Sequence, residues 1–141
     1  MRTNRHTEDS RLYFDWLEIA ARDLLAAQLL TEAGQCLEIA AFHCQQGMEK
    51  ALKAYLIHSG AGLPDGHNLT WLCRQALRRH PGFERFRESC ADMNRLYIAT
   101  RYPSDEPLTV EPEEAEAYCR AAGELYDFIC DEVYARTDGE E

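Results

Sequence analysis

The chain predicts an all-α fold, an antiparallel up-and-down four-helix bundle with one additional short helix. Three observations lead there. Apolar residues recur at three- and four-residue steps through five separate segments, glycine and proline collect between those segments, and no stretch alternates with the period of two that a half-buried strand requires.

Capping residues cluster between Thr7 and Ser10, so the first helix is expected to begin there and to end near Ala33, with Gly34 as its left-handed C-terminal residue. Its Tyr13, Trp16, Leu17, Ala20, Leu24, Ala27 and Leu30 keep the spacing of a buried stripe. A second helix is expected from Leu37 to Ser59, closed by the loop that holds Gly60, Gly62, Pro64 and Gly66. Asn68 is placed to cap a shorter third helix from Leu69 to about His80, which Pro81-Gly82 stops. The fourth helix is expected from Phe83 to about Thr100, with Phe83, Phe86, Cys90, Met93 and Tyr97 as its seam. Pro103 and Pro107 end it, and Ser104 to Val110 reads as a loop. The last helix opens at Pro112, where the carboxylates of Glu113, Glu114 and Glu116 favour the helix dipole, and it buries Tyr118, Ala122, Leu125, Ile129 and Val133. One domain over residues 1–136 with a disordered tail over 137–141 is the expected organisation.

A net charge of −10 argues against a protein whose main task is gripping phosphate backbones, although a local basic pocket is compatible with it. The sequence contains no apolar run of roughly eighteen residues, and the N-terminal MRTNRHTEDS lacks a signal-peptide core, so a soluble cytoplasmic protein is expected. Cys36, Cys44, Cys73, Cys90, Cys119 and Cys130 form no CxxC pair and fall mostly on apolar helix phases. That is the pattern of small buried hydrophobes in a reducing compartment, not of a disulfide framework or a zinc site. The Glu-x-x-His pairs of di-iron bundles, the P-loop, the dinucleotide fingerprint and the nucleophile elbow are all missing, so neither a metal nor a cofactor is expected.

The segment FHCQQGMEKALK, from Phe42 to Lys53, holds both lysines of the chain. On a helix His43, Gln46, Lys50 and Lys53 share one face, while Leu37, Ala41, Cys44, Met48, Ala51 and Tyr55 line another. Ammonium groups beside a helix groove can neutralise the phosphates of a nucleotide. The plainer reading is an i, i+4 pair of Glu49 with Lys53 on a wet face, worth roughly 0.3 to 0.5 kcal/mol. Gly47 interrupts the same helix at a cost of about 1 kcal/mol against alanine, which points to a neighbouring helix or a partner chain in close approach. His67, just before the Asn68 cap, reads as a local hydrogen-bonding residue rather than a metal ligand.

The order of these features resembles the HEPN domain family over roughly Asp15 to Val133. A helix with Trp16 and Asp23-Leu24 is followed by QQGMEKALKAYL, by His67-Asn68-Leu69, by Arg101-Tyr102-Pro103 and by a helix with an acidic start. In the ribonucleases of that family the resemblance implies an arginine followed, after four to six intervening residues, by a histidine. Arg101 stands where that arginine belongs, but the histidine positions hold Glu106, Pro107 and Leu108, so the proton-transfer partner is missing. Arg74 with His80 matches the bare spacing, yet on the short third helix rather than where the family places its motif.

The resemblance therefore implies a non-catalytic, homodimeric binding module for a nucleotide or for a minimal nucleotidyltransferase partner, as in toxin–antitoxin-type pairs. Lys50, Lys53 and Arg101 would contact the anion, with His43, Gln46, Asn94 and Tyr97 in support. Two alternatives stand beside it: a metal-independent endoribonuclease acting on RNA through Arg101, and a purely structural helical dimer.

Overall fold

The structure is a computed structural model that describes residues 9–96 and 108–139, with side chains through residue 135. Its helices are α1 (Tyr13–Ala33), α2 (Leu37–His58), α3 (Leu69–Leu77), a 3-10 turn (Pro81–Phe86), α4 (Arg87–Asn94) and α5 (Pro112–Gly139), and the described residues contain no strand. The helical bundle expected from the apolar spacing is present. The long helices α1, α2 and α5 pack against one another, and α3, the 3-10 turn and α4 close over α2.

α2 is the hub. Of its 22 residues, thirteen are buried, including Ala40, Ala41, Ala51 and Ala54 with no exposure at all, so from Ala40 onward most of the helix surface is packed. At Gly47 an added Cβ would stand 2.6 Å from Leu24 Cδ2 and 3.0 Å from its Cγ. The close neighbour that this glycine announces is therefore α1. The turn between α1 and α2 sets their direction: Gly34 has φ +67°, its N–H bonds Thr31 O at 3.1 Å and the N–H of Gln35 reaches back to Leu30 O at 3.1 Å. With only Gln35 and Cys36 left before α2 begins, the chain must return antiparallel.

Several boundaries differ from the sequence expectation. α1 starts at Tyr13 instead of between Thr7 and Ser10, because Ser10 works from outside the helix. Its hydroxyl donates to Asp15 Oδ2 at 2.7 Å and accepts from Leu12 N at 3.0 Å, while its carbonyl takes the Trp16 indole N–H at 2.9 Å. α3 stops at Leu77 rather than near His80. His80 serves the next turn: Nδ1 accepts from Gly82 N at 2.8 Å and Nε2 faces Glu132 Oε1 on α5 at 3.0 Å.

The helix expected from Phe83 begins as a 3-10 turn and becomes α-helical only at Arg87. The tighter turn directs both Phe83 and Phe86 onto Phe128 of α5, with ring centroids 5.0 and 5.3 Å away. The course expected from Tyr97 to Thr100 lies outside the described residues. In α5 the helical backbone continues to Gly139, past the Thr137 boundary expected for the tail.

Because Leu24 and the Ala20 carbonyl face Gly47, a branched side chain there overpacks the α1–α2 contact. Gly47→Val should lower unfolding stability by about 1–3 kcal/mol, read from urea denaturation followed by far-UV circular dichroism.

Candidate functional site

Along α1 the positions Trp16, Ala20, Asp23, Ala27 and Leu30 step by four and three residues and form the seam against α2. Asp23 is the charged member of that seam, and α2 supplies its partners two turns apart. His43 Nδ1 donates to Asp23 Oδ1 at 2.9 Å and Lys50 Nζ donates to Oδ2 at 2.7 Å, with the aspartate side chain only 12% exposed. Both carboxylate oxygens are engaged in charge-assisted contacts.

One turn further along α2, Glu49 and Lys53 are 3% and 6% exposed. Glu49 Oε2 accepts from Lys53 Nζ at 3.1 Å and from His67 Nδ1 at 2.7 Å. The Lys53 ammonium also lies 5.5 Å from the centroid of the Trp16 ring, in cation–π range. Glu49 Oε1 is buried and has no hydrogen-bond partner among the described residues. The pair expected on a wet face is thus a buried one, because Trp16 from α1 and His67 from the loop before α3 cover it.

His67 is consequently a long-range tie, joining the loop to a carboxylate 18 residues earlier. Immediately after it the start of α3 is capped twice: Asn68 Oδ1 accepts from Trp71 N at 2.9 Å, and Asn94 Oδ1, from α4, accepts from Leu69 N at 2.7 Å.

The seven residues singled out by sequence separate into distinct places. His43 and Lys50 meet at Asp23, and Lys53 turns to Glu49 and Trp16. Gln46 Nε2 donates to Gln45 Oε1 at 2.7 Å, and Asn94 caps α3. Tyr97 and Arg101 lie outside the described residues. The single cationic face is in this way divided between two carboxylates. Asp23 and Glu49 are the residues the site needed and the sequence reading underweighted. Their signal was a carboxylate standing at a seam position otherwise filled by Trp16, Ala20 and Ala27, or by Gln45, Met48 and Leu52.

Other polar features are structural in form. A cleft of about 670 Å³ is lined by His58, Ser59, Arg78, Arg79, His80 and Glu132 among others, where α2 and α3 end. There Arg79 Nη1 donates to the Ser59 carbonyl at 3.0 Å, the usual use of a cation at a helix C-terminus. All six cysteines are free. Cys44, Cys73 and Cys90 are buried as expected of small hydrophobes, whereas Cys36 is exposed in the α1–α2 turn and Cys119 and Cys130 are half-buried on α5. Among the described residues no cluster of histidine, cysteine and carboxylate could hold a metal ion, and no helix is long and apolar enough to cross a membrane.

Fold and site together define a small all-α bundle domain whose central helix carries charged side chains sealed into its seams. The HEPN domain model matches residues 13–133, and the chain belongs to the HEPN domain family. It is similar to TT1696 from Thermus thermophilus, with 28% identity and a TM-score of 0.70, the match covering 84% of this chain and 96% of that one. It shares its fold with ST0689, an archaeal HEPN homologue, at 24% identity and a TM-score of 0.69, over 86% of this chain and 98% of that one. No curated protein matches it significantly.

Removing one member of a buried ion pair leaves the other charge desolvated and uncompensated. Glu49→Leu should cost about 3–5 kcal/mol in urea unfolding, and the double variant Glu49→Leu/Lys53→Met should recover most of that loss.

Proposed function

We propose that this HEPN domain is a non-catalytic binding module that works as a homodimer and docks a protein partner, with a minimal nucleotidyltransferase as the partner class. The observation that carries this reading is the outer face of α1. Phe14, Leu25 and Leu29 are 49%, 56% and 57% exposed and share the side of the helix opposite its packed seam; Ile19, on the flank beside that seam, and Leu12, just before the helix, are also exposed. Leu25 and Leu29 stand one turn apart and Phe14 lies about 16 Å further toward the helix N-terminus, with the exposed Glu18 and Arg22 between them, so this face presents apolar side chains set among charged ones.

Protein binding is favoured over nucleotide binding by the electrostatics of α2. A phosphate at Lys50 must compete with Asp23, and one at Lys53 must open a buried contact with Glu49. A nucleotide site therefore rests on Lys50 exchanging its carboxylate, with His43 and Gln46 beside it and Arg101 as a further cation. Light scattering should return a pair of chains for the wild type and a single helical chain for Leu25→Glu/Leu29→Glu; a monomeric wild type at micromolar concentration defeats the proposal. Calorimetry with ATP and GTP, repeated on Lys50→Ala, reads the nucleotide component.

One observation favours the ribonuclease alternative. His67 donates to a buried carboxylate through Nδ1 while 54% of its side chain is exposed, the arrangement in which a carboxylate orients an imidazole for proton transfer. Under that reading His67 supplies the base that the sequence after Arg101 lacks. Purified protein should then cleave RNA without metal, and His67→Ala and Arg101→Ala should each reduce cleavage by about 100-fold or more. Intact RNA with the wild type removes this alternative.

A further inference from the structure

α2 and α5 bring two cysteines together that no motif in the sequence associates. Cys44 Sγ lies 3.7 Å from Cys119 Sγ, across 75 residues of chain. Cys44 is fully buried, whereas Cys119 is half-buried and lines a recess of about 320 Å³ together with Gln28, Thr31, Glu32, Glu116 and Arg120. Water-sized reagents fit such a recess, since a water molecule occupies about 30 Å³. The arrangement sets one cysteine at the wall of a recess and a second, buried sulfur 3.7 Å from it.

We propose that Cys119 and Cys44 form a peroxide-sensitive dithiol, in which Cys119 meets the oxidant and Cys44 resolves the product into a disulfide that ties α2 to α5. The Cys119 thiolate attacks one oxygen of hydrogen peroxide, the O–O bond breaks, and the departing hydroxide takes up a proton to leave as water. Cys119 is then a sulfenic acid. Cys44 gives up its proton, its sulfur attacks the Cys119 sulfur, and the S–O bond breaks to release a second water. Two electrons pass from the two thiols to one peroxide.

The surroundings fit these roles. The Thr31 hydroxyl, which donates to the Ala27 carbonyl at 2.7 Å, lies 3.5 Å from Cys119 Sγ at the recess wall. The S–H of Cys44 donates to Cys119 and holds the Cys119 thiol down at about 6, against burial and the Glu116 and Glu32 carboxylates, which push it up. The same hydrogen bond, reinforced by burial, pushes the Cys44 thiol well above the ordinary thiol range, so Cys119 is the sulfur that ionises first. Cys73 and Cys90 also interact, but both are at most 1% exposed and closed to an oxidant.

The test uses the full chain with hydrogen peroxide, followed by intact mass and non-reducing peptide mapping. A mass lower by about 2 Da, a crosslinked peptide joining Cys44 to Cys119, and its release by dithiothreitol are expected. In Cys44→Ala the sulfenic acid has no resolving thiol, so dimedone should label Cys119; in Cys119→Ala neither crosslink nor label should form at this site. Circular dichroism confirms that both variants remain helical, and the wild-type map decides the matter even where a variant does not fold. A disulfide between other cysteines, one between two chains, or a wild type that keeps both thiols in excess peroxide overturns the proposal.

Discussion

The approach of α1 to α2 at Gly47 is the constraint on which the other contacts depend. A helix-interior glycine costs about 1 kcal/mol relative to alanine, and here it leaves room for the Leu24 side chain, which an added Cβ would meet at 2.6 Å. The resulting closeness lets a side chain as short as aspartate span the gap, so that Asp23 reaches His43 and Lys50 directly. It also lays the Trp16 ring beside the Lys53 ammonium. A wider separation would leave water between these groups and weaken each contact.

What the buried charges contribute is discrimination more than net stability, since the cost of desolvating Glu49 and Lys53 offsets most of their attraction. A shift of α1 along α2 by one turn would strand Asp23 away from its partners and uncover Trp16 from Lys53. The present register is the one in which Asp23 meets both His43 and Lys50, whereas the Glu49–Lys53 pair lies within α2 itself. Through His67 the same cluster fixes the loop before α3, and the aromatic group of Phe83, Phe86 and Phe128 fixes the turn after it. Polar and apolar anchors thus divide the task of holding the short elements onto α2.

Much of this architecture was legible in the sequence, because helix spacing and terminators act locally. The stripes Tyr13 to Leu30 and Tyr118 to Val133, the Gly34 turn and the Asn68 cap all appear where residue chemistry places them. Gly47 announced a close neighbour before any partner was known. Tertiary choices were less legible. Whether Glu49 and Lys53 are wet or sealed depends on Trp16 and His67, which stand 33 and 18 residues from Glu49 in the chain. Likewise Asn94, expected to support an anion contact, instead sends its carboxamide to Leu69, which nothing local announces. The boundary errors at Ser10 and His80 share one cause: each residue spends its hydrogen-bonding capacity on an adjoining turn.

The cap supplied by Asn94 also bears on how the molecule opens. α3 has only nine residues, too few to persist as an isolated helix in water. One of its leading amides is held by a side chain that exists in the right place only while α4 is wound. Fraying at the α4 C-terminus would therefore release the leading turn of α3 as well, and their amide protons would exchange with solvent as one cooperative unit, at a lower free energy than those of α2.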